Sequence, residues 1–503
     1  MPNHLFDGLF ARHIGSNAVF LRLPDGRTQS YGDFLSQAAR FANTLVALGL
    51  KPGDRMALQL DKSPEMLALV AGAIAAGVVF LPLNSAYTPA EIGYFLADSG
   101  AKLLVCDGRF VAPLQPVVAG VGATMAVLNA DGTGDMADRA RQMPEGFMPV
   151  DRGPDDLAGL LYTSGTTGRS KGAMLSHDNL MSNAQVLTDC WQFTEKDVLL
   201  HALPVFHTHG LFVATNVALL AGCSVIFLPK FETEEVIRHL PDATAMMGVP
   251  TFYTRLLEDT RLNHKLVEGI RLFVSGSAPL LADTHHQWQA RTGHKILERY
   301  GMTETNMNTS NPYDGDRRAG TVGQPLPGVE LKICDAQGQE LPKGEIGTIE
   351  VRGPNVFKGY WNMPEKTREE LRPSGFFVTG DLGRMDDADY VTIVGRNKDM
   401  IISGGFNIYP KEVELVLDAL PDVLESAVIG VPHPDFGEVV VAVIVPAPGA
   451  IPDPKAIIEG LGQQLARFKQ PKHIELSDEL PRNTMGKVQK NVLRDGLRGL
   501  FTA

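Results

Sequence analysis

The sequence predicts an α/β protein with a large N-terminal domain of two stacked βα subdomains plus a small β-rich subdomain, and a smaller α+β C-terminal domain. Three observations support this fold class: strands alternate with helices up to about residue 310, strand-rich sequence with many Gly and Pro residues covers 320–395, and a compact unit follows. A chain of 503 residues has room for about three such units. We place the main boundary at Lys398, which gives domains 1–397 and 398–503.

The first βα array is predicted from helix caps and apolar periods. Ala38, Phe41 and Leu45 recur at helical spacing and predict the apolar face of a helix. Ser63 and Thr88 each precede a proline, and we expect them to cap the next two helices. Short apolar runs predict strands at 55–60, 78–83 and 103–106. This alternation is typical of a parallel sheet that is covered on both faces.

A second array repeats the alternation further along the chain. Apolar runs predict strands at 198–200, 224–228, 245–250 and 272–275, with helices at 211–220 and 251–257. The β-rich subdomain contains a predicted strand at 347–351, and the C-terminal domain contains a predicted helix at 410–417 and a strand at 425–430.

Composition and charge argue against several classes of protein. The formal net charge of −12, without any basic run, disfavours nonspecific nucleic-acid binding. The apolar segment 66–83 is interrupted by glycine and proline, which favours a buried helix and strand over a membrane span. Four scattered cysteines suit a reducing compartment, and the first residues lack a signal-peptide pattern. We therefore expect a cytoplasmic protein that binds neither nucleic acid nor membrane.

The stretch 162–172 is the first candidate site, with the sequence YTSGTTGRSKG after an apolar strand. Glycines allow a close backbone approach, and successive N–H groups in such a turn form a concavity for anions. Hydroxyl groups add donors, and Lys171 adds a positive charge that we expect to be mobile. The stretch therefore predicts a loop that binds a polyphosphate, although a solvated turn is the alternative.

The two common phosphate-binding fingerprints do not fit this loop. A Walker A loop needs glycine directly before the lysine, whereas Ser170 precedes Lys171. The dinucleotide fingerprint needs a third glycine that is missing after Gly165 and Gly168.

Two further stretches combine carboxylates with hydroxyl groups or glycines. Glu304 lies among hydroxyl residues, in what we interpret as a glycine turn, and its oxygens suit Mg²⁺; a helix cap is the alternative. Asp381, which we place in a tight turn, is suited to accept hydrogen bonds from a ribose diol; a simple turn is the alternative.

Two stretches carry basic side chains. Lys487 follows a glycine and is suited to neutralise charge on a phosphorus centre, unless it is an ordinary solvated lysine. His207 and His209 form an H-x-H pair, but without a third ligand in register we favour a pocket-lining role for His207 over a metal site.

Taken together and in this order, the motifs resemble those of the adenylate-forming (ANL) superfamily, and the resemblance covers essentially the whole chain. Within it, the chain is similar to the bacterial malonyl-CoA synthetases, most clearly at 201–211, 247–255 and 299–314. The resemblance implies a ligase in which a carboxylate reacts with Mg-ATP to give acyl-AMP and pyrophosphate, after which coenzyme A displaces AMP.

The resemblance also implies residue roles. The loop binds the β- and γ-phosphates through Thr163, Ser164, Gly165, Thr166, Thr167, Gly168 and Lys171. The adenosine side is formed by Ser277, Ala278, Pro279, Glu298, Arg299 and Tyr300, with Asp381 and Arg396 on the ribose. Thr303 approaches the α-phosphate, Glu304 and Thr163 hold Mg²⁺, and Lys487 bridges carboxylate and phosphate. The C-terminal domain is mobile about Lys398, and Ser403, Gly404 and Gly405 line the coenzyme A tunnel.

The choice of malonate is argued from charge. A second carboxylate cannot be buried without a partner, so the acyl pocket needs a fixed cation. Arg255 lies one helical turn after the expected edge of the pocket, and its planar fork matches a carboxylate. We expect Arg255 to bind the distal carboxylate with help from Ser277, His207 and Met302, unless it is a surface arginine.

Several alternatives remain open. A kinase or P-loop ATPase would release ADP, and a non-catalytic nucleotide-binding protein would release no pyrophosphate. Within the superfamily, methylmalonate or another small carboxylate could replace malonate as substrate. A lysine acetyltransferase is a further expected partner, because acetylation would delete the charge of Lys487.

Overall fold

The computed structural model describes residues 2–163, 170–403, 406–434, 436–462, 464–465, 467–483 and 486–501. Contacts divide the chain into two compact units, Met1–Glu330 with Val351–Phe377 and Leu331–Glu350 with Val378–Ala503. The contact grouping assigns residues 378–397 to the second unit, whereas the predicted boundary at Lys398 marks an expected hinge and stays a prediction.

The first unit begins with a six-stranded sheet, ordered β6-β5-β3-β4-β7-β8, in which β8 is antiparallel to β7. The elements of this part are α1 (His4–Leu9), β1 (Val19–Arg22), β2 (Thr28–Ser30), α2 (Tyr31–Ala47), β3 (Arg55–Gln59), α3 (Pro64–Ala76), β4 (Val79–Pro82), α4 (Pro89–Ser99), β5 (Leu103–Cys106), α5 (Val111–Val121), β6 (Thr124–Val127), α6 (Asp135–Arg141), β7 (Leu157–Thr163) and β8 (Lys171–Ser176).

The predicted caps of this array are confirmed. The Ser63 hydroxyl accepts a hydrogen bond from Met66 N at 3.1 Å, and Thr88 forms a reciprocal capping box with Glu91. The apolar segment forms α3 and β4, as expected, and α3 is buried along most of its length. Among the described residues, no helix is both long and apolar enough to cross a membrane.

The second array forms a nine-stranded sheet, ordered β15-β14-β13-β12-β11-β9-β10-β1-β2. Its elements, together with one later helix of the same unit, are α7 (His177–Cys190), β9 (Val198–His201), α8 (Thr215–Ala221), β10 (Ser224–Phe227), α9 (Thr233–His239), β11 (Ala245–Gly248), α10 (Pro250–Glu258), β12 (Leu272–Ser275), α11 (Ala282–Thr292), β13 (Leu297–Met302), β14 (Asn306–Ser310), β15 (Gln324–Pro325) and α12 (Pro364–Glu370).

The helix predicted at 211–220 differs from expectation at its start. A π-helix covers His209–Ala214 and only then does α8 begin. The Gly210 carbonyl accepts hydrogen bonds from the Thr215 hydroxyl at 2.8 Å and lies 3.0 Å from His201 Nε2. The wider turn therefore presents this carbonyl to side chains.

Aromatic packing fixes the helices that flank β12. Tyr253 of α10 and Trp288 of α11 meet edge to face at 4.9 Å, and Phe273 of β12 meets Trp288 at 4.9 Å. Each such contact adds about 0.5–1.5 kcal/mol beyond burial of area. Strand β12 is thus packed against α10 and α11 by aromatic contacts.

The second unit contains a four-stranded sheet, ordered β16-β17-β18-β19, and a five-stranded sheet with the path β21-β20-β23-β22, in which β24 also pairs with β23. The elements are β16 (Glu330–Cys334), β17 (Gly347–Arg352), β18 (Phe377–Met385), β19 (Val391–Arg396), β20 (Ile401–Ser403), β21 (Phe406–Ile408), α13 (Pro410–Asp418), β22 (Val423–His433), β23 (Gly437–Pro446), α14 (Pro454–Leu461), β24 (His473–Leu476) and α15 (Lys490–Leu497). The predicted fold class, including the β-rich segment and the α+β C-terminal part, is confirmed.

Candidate active site

The two ends of the predicted phosphate loop lie on the paired strands β7 and β8. Thr163 pairs with Lys171 across the two strands, so these residues mark the two ends of the loop. The predicted donors between them, namely Ser164, Gly165, Thr166, Thr167 and Gly168, lie outside the described residues.

Glu304 lies within hydrogen-bond distance of this hairpin. Its Oε1 accepts hydrogen bonds from the hydroxyl groups of Thr163 at 3.3 Å and Tyr360 at 3.0 Å. The expectation of a glycine turn is wrong, because Gly301 lies on β13 and the turn comprises residues 303–305, between β13 and β14. A Cβ on Gly301 would overlap the Asn306 carbonyl, so the glycine is needed for close strand pairing.

Lys171 is buried, contrary to the expectation of a mobile charge. Its Nζ lies 3.2 Å from both carboxylate oxygens of Glu370 and 4.1 Å from the centre of the Tyr360 ring. Burial raises the pKa of Glu370, but hydrogen bonds from Tyr360 and Lys366 outweigh it and leave the pKa below its usual value. Burial and the charge of Glu304 raise the pKa of Tyr360, so this hydroxyl keeps its proton.

The donor set around Glu304 suits Mg²⁺ in its chemistry. A carboxylate and a hydroxyl offer hard oxygen ligands, and Mg²⁺ is commonly held by one or two carboxylates together with substrate phosphates. Within the described ranges, no group of three or more His, Cys, Asp or Glu side chains is placed to hold a metal ion. The oxygen donors of Glu304 and Thr163 fit a cation that is bound jointly with a phosphate substrate.

The segment after β12 forms the other side of the candidate site. Ser277 has a positive φ of 73°, which is uncommon for a residue with a side chain and is often found at functional sites. Its hydroxyl lies 3.2 Å from His209 Nδ1. Ala278 is half-buried and Pro279 is exposed.

His209 is buried, whereas His207 is half-buried. Burial, followed by the charge of Arg299, lowers the pKa of His209 well below its usual value. The imidazole is therefore neutral near pH 7. Since Nδ1 faces the Ser277 hydroxyl, its Nε2 is available as the second polar atom of the ring.

Strand β13 carries the remaining predicted residues of this side. Glu298 is buried, and its Oε1 accepts a hydrogen bond from the Gly320 backbone at 3.4 Å. Arg299 is also buried, with 4% exposure, whereas Tyr300 and Met302 are half-buried. Thr303 is half-buried in the turn that carries Glu304.

Arg255, the residue predicted to bind the distal carboxylate, is exposed on α10. Tyr253 and Leu256 are the buried residues of this helix, so Arg255 does not belong to its core-facing side. The role of Arg255 stays a prediction.

The predicted ribose residues form an ion pair within the second unit. Arg396 Nε lies 2.7 Å from Asp381 Oδ1, and the two residues face each other across β18 and β19. The expectation of a tight turn around Asp381 is wrong, because 379–383 lies within β18. The Thr379 hydroxyl accepts a hydrogen bond from Asp381 N at 3.1 Å, which fixes the local backbone.

Lys487 lies in the same unit as this ion pair. Its backbone N–H donates to Asn483 Oδ1 at 3.0 Å, and the residue retains exposed surface. Desolvation of the amine and the charge of Arg396 lower the pKa of Lys487 to about 8, against the opposing effect of Asp381. Lys398 is exposed in a short 3-10 helix, Asn397–Asp399.

Of the predicted coenzyme A residues, Ser403 is described as the last residue of β20. Gly404 and Gly405 lie outside the described residues.

The sequence did not reveal Tyr360, Glu370 or His209 as members of the site. Tyr360 is 56 residues from Glu304, and nothing in its neighbourhood marks it as a partner. Glu370 lies four residues after Lys366, a spacing that resembles an ordinary solvated helix face. The H-x-H pair drew attention to this stretch, but the sequence analysis favoured His207 rather than His209 as the pocket-lining residue.

Comparison with known proteins places this site in a family. The chain matches the family models "AMP-binding enzyme" over residues 10–361 and "AMP-binding enzyme C-terminal domain" over residues 412–487. The structure is similar to the crystal structure of ATP-bound MatB from Rhodopseudomonas palustris, with a TM-score of 0.98, 56% sequence identity and coverage of 100% of both chains.

Curated relatives agree with this placement. The malonate–CoA ligase of Arabidopsis thaliana is 35% identical over 521 residues, covering 94% of this chain and 85% of that protein. A feruloyl-CoA synthase from an Amycolatopsis species is 37% identical over 474 residues, covering 93% of this chain and 94% of that protein. The predicted resemblance is confirmed: this chain belongs to the AMP-binding enzyme family.

Proposed function

We propose that the protein is an AMP-forming acid–thiol ligase that converts malonate, ATP and coenzyme A into malonyl-CoA, AMP and pyrophosphate through a malonyl-adenylate. The similarity to a malonate–CoA ligase and to a MatB structure with bound ATP supports this substrate set. Methylmalonate or another small carboxylate is the alternative acid.

The contact between Thr163 and Glu304 carries the proposal. These residues are 141 positions apart, yet the hydroxyl lies 3.3 Å from the carboxylate at the end of the phosphate-loop hairpin. Two of the motifs from which the sequence predicts ATP binding therefore meet at one point. Binding of a metal–nucleotide complex requires carboxylate and hydroxyl oxygens, and both are present at this end of the loop.

In the first step, an oxygen of one malonate carboxylate bonds to the α-phosphorus of ATP, and the bond from that phosphorus to the bridging oxygen of pyrophosphate breaks. Thr163 and the rest of the loop bind the β- and γ-phosphates that leave. Thr303 lies beside the α-phosphate, and Lys487 neutralises charge that develops there. Asp381 and Arg396 hold the ribose, and Tyr300 with Ser277 borders the adenine.

When bound, Mg²⁺ would neutralise phosphate charge, with Glu304 and Thr163 as its protein oxygen ligands. Tyr360 positions Glu304, because its hydroxyl lies 3.0 Å from Oε1 of that carboxylate.

In the second step, the thiol sulfur of coenzyme A bonds to the acyl carbon, the bond from that carbon to the phosphate oxygen breaks, and AMP leaves with that oxygen while the thiol proton passes to solvent. We propose that the C-terminal domain rotates about Lys398 between the steps. Lys487 then withdraws, and the segment of Ser403, Gly404 and Gly405 lines the path of the thiol.

The proposal is tested by measuring pyrophosphate release with a panel of small mono- and dicarboxylates. Malonate is expected to give the highest kcat/KM, with AMP as the nucleotide product. ADP as product would favour a kinase or ATPase, and the absence of pyrophosphate with every acid would favour a non-catalytic nucleotide-binding protein. Preference for methylmalonate or a monocarboxylate would refute malonate as the substrate.

For the distal carboxylate, Arg255 is the cation expected from the sequence, assisted by His207, Ser277 and Met302. If Arg255 binds malonate, Arg255→Ala should abolish malonate turnover while leaving ATP binding unchanged. Turnover near the wild-type level would remove Arg255 from the pocket.

We further propose that a lysine acetyltransferase regulates the enzyme at Lys487. Acetylation would delete the charge needed in the first step. Protein carrying acetyl-lysine at this position should not form the adenylate, and full adenylation activity would exclude the regulation.

We propose the cytoplasm as the site of action. ATP and coenzyme A are available there, and burial raises the pKa of the Cys106 and Cys223 thiols to about 12, which suits cysteines that stay reduced.

A further inference from the structure

The amine of Lys171, at one end of the predicted phosphate loop, is enclosed by side chains of the protein itself. Lys171 is 8% exposed, and its Nζ lies 3.2 Å from both carboxylate oxygens of Glu370 and 4.1 Å from the centre of the Tyr360 ring. An ammonium group has three hydrogens to donate. The two oxygens of Glu370 and the face of the Tyr360 ring therefore offer an acceptor for each of them.

Glu370, the last residue of α12, is held as firmly as the lysine. Its Oε2 accepts a hydrogen bond from the Tyr360 hydroxyl at 2.6 Å, and its Oε1 lies 2.9 Å from Lys366 Nζ. Burial raises the pKa of Glu370, but the hydrogen bonds from Tyr360 and Lys366 outweigh it, so the carboxylate is ionised near pH 7. Lys171 and Glu370 thus form an ion pair that is largely shielded from water.

Backbone pairing fixes the strand that carries Lys171. Beside it, the Trp361 N–H donates to the Gly172 carbonyl at 2.7 Å, and the Met174 N–H donates to the Gly359 carbonyl at 3.0 Å. The chain before α12 therefore runs along β8 as a further partner. This pairing leaves the backbone of Lys171 little freedom to follow a ligand.

Helix α4 contacts both sides of the same loop. The Tyr94 hydroxyl donates to the Ser170 carbonyl at 2.8 Å, directly before Lys171. At the other end, the Tyr162 hydroxyl lies 2.5 Å from Asp98 Oδ2, directly before Thr163. The residues that flank the loop are therefore anchored from α4 as well as from α12.

A phosphate would have to compete with Glu370 for the lysine. If Lys171 turned toward a phosphate, the carboxylate would lose one of its cations in a place that water reaches poorly, which is strongly unfavourable. Backbone N–H groups of a glycine-rich turn and hydroxyl groups can bind phosphate oxygens without a lysine. The contacts of Lys171 thus suit an anchor better than a ligand.

We infer that Glu370 is a positioning residue for ATP binding, and that Lys171 serves with it as the anchor of the phosphate loop rather than as a phosphate ligand. This inference rests on the proposed function and deepens it, because it changes the role that the sequence resemblance gives to Lys171. The ion pair fixes the end of the loop that pairs with Thr163, and Thr163 in turn lies beside Glu304.

The test measures the KM for ATP by pyrophosphate release in Lys171→Met, in Glu370→Gln and in the double variant. Each single replacement leaves a buried group without its partner, so we expect the KM for ATP to rise about 10-fold or more in both. The KM for malonate should stay within about threefold. Thioester formation from supplied malonyl-adenylate should keep its wild-type rate, because the adenylate carries no β- or γ-phosphate.

Glu370→Gln separates the two roles of the lysine by the sign of its effect. If Lys171 bound a phosphate, removal of the competing carboxylate would leave the KM for ATP unchanged or lower it. An anchor that has lost its partner raises it. The double variant removes both partners, so its KM should lie about 10-fold below the product of the two single effects.

The ion pair of Lys358 and Asp155 is the matched control. Lys358 lies on the segment that pairs with β8, its Nζ is 2.5 Å from Asp155 Oδ1, and both residues are exposed. Because exposed ion pairs contribute little, Lys358→Met and Asp155→Asn should change the KM for ATP by less than about twofold.

Three results would overturn the inference: a KM for ATP that is unchanged or lowered in Glu370→Gln, effects of the two replacements that simply multiply, or an equal loss in thioester formation. If Glu370→Gln does not fold, Glu370→Asp is measured, which keeps the charge but withdraws the carboxylate from Lys171, and an unchanged KM for ATP there also overturns it. Failure of the proposed function is distinct, because the wild type would then release ADP, or no pyrophosphate with any acid.

Discussion

The hydroxyl of Tyr360 lies between two carboxylates, 3.0 Å from Glu304 Oε1 and 2.6 Å from Glu370 Oε2. A single hydroxyl hydrogen can be donated to only one carboxylate at a time. Lys171 and Lys366 compensate for the excess negative charge on the side of Glu370. Tyr360 thereby links the end of the phosphate loop to the residue proposed to hold the metal ion.

Tyr360→Phe is expected to weaken the apparent affinity of the enzyme for Mg²⁺ rather than the stability of its fold. Loss of the hydroxyl frees Glu304 to leave its position, and partners that orient metal ligands are commonly worth about 10–100-fold in affinity or activity. The measurement is pyrophosphate release as a function of Mg²⁺ concentration at fixed ATP.

Tyr31→Phe serves as control for this substitution, because the Tyr31 hydroxyl is also buried and its hydrogen-bond partners among the described residues are backbone carbonyls, those of Ala218 at 3.2 Å and Cys223 at 2.8 Å. An identical Mg²⁺ response in Tyr360→Phe and Tyr31→Phe would contradict the assigned role.

A second residue, His177, makes the stability of the first unit depend on pH. The ring is 1% exposed, and its Nδ1 accepts a hydrogen bond from Leu5 N at 3.3 Å. Burial lowers the pKa of His177 from 6.5 to about 4. The unfolded state thus binds a proton at a pH where the folded state does not, so stability is complete above pH 6.5 and falls as the pH drops toward 4.

The loss attributable to His177 is at most about 3.5 kcal/mol, since the pKa falls by about 2.5 units and one unit corresponds to about 1.4 kcal/mol. Calorimetric melting curves at several values between pH 7 and pH 4 should show a shallower decline for His177→Asn, which retains an acceptor for Leu5 N. His286→Asn, at an exposed position, should decline like the wild type. Parallel curves for all three proteins would refute the linkage.

At the scale of elements, the π-helix His209–Ala214 determines where the buried histidine of the site lies. A Cβ on Gly210 would overlap the Pro204 carbonyl, so this turn packs directly on the segment after β9. The same turn places His209 within reach of Ser277. An extra residue in one helical turn thus rotates a polar side chain toward the site.

Gly210→Ala is therefore expected to destabilise the protein by about 1–3 kcal/mol, because the added methyl group forces the backbone apart. Gly120→Ala is the matched control: that glycine lies in α5 with nothing within 4 Å of an added Cβ, and alanine there should add about 0.5–1 kcal/mol of stability. Melting temperatures of the two variants should move in opposite directions. A neutral Gly210→Ala would show that the π-turn tolerates a side chain.

At the scale of the whole molecule, the proposed rotation of the C-terminal domain would give Lys487 a role in only one of the two proposed steps. Lys487 belongs to the second unit, whereas Glu304 and Thr163 belong to the first. If the units move between the steps, the lysine is required for adenylation and dispensable for thioester formation.

Lys487→Ala should consequently lose ATP-dependent adenylate formation by about 100-fold or more, by analogy with the loss of a single group that stabilises transition-state charge. Thioester formation from supplied malonyl-adenylate and coenzyme A should persist near the wild-type rate. Single-turnover assays of the two half-reactions measure this difference. Equal loss in both steps would contradict domain alternation.

The success of the sequence predictions depended on how local the underlying interactions are. The caps at Ser63 and Thr88 were predictable because each joins residues three positions apart. The strands were predictable from apolar runs, and the family from motifs that fold similarly wherever they occur. The tight turn expected at Asp381 and the glycine turn expected at Gly301 were wrong, because pairing with neighbouring strands makes both segments part of strands β18 and β13.

By itself, the sequence determined the α/β fold class, the family and the order of the motifs, since periodicity, caps and motif spacing are properties of short segments. Tertiary structure alone decided which charged groups are buried together. The sequence pointed to Arg255 as the cation of the acyl pocket and placed Arg299 on the adenosine side, yet Arg255 is exposed and Arg299 is 4% exposed beside Gly276. Desolvation depends on neighbours from distant parts of the chain, and desolvation is what makes a charge selective.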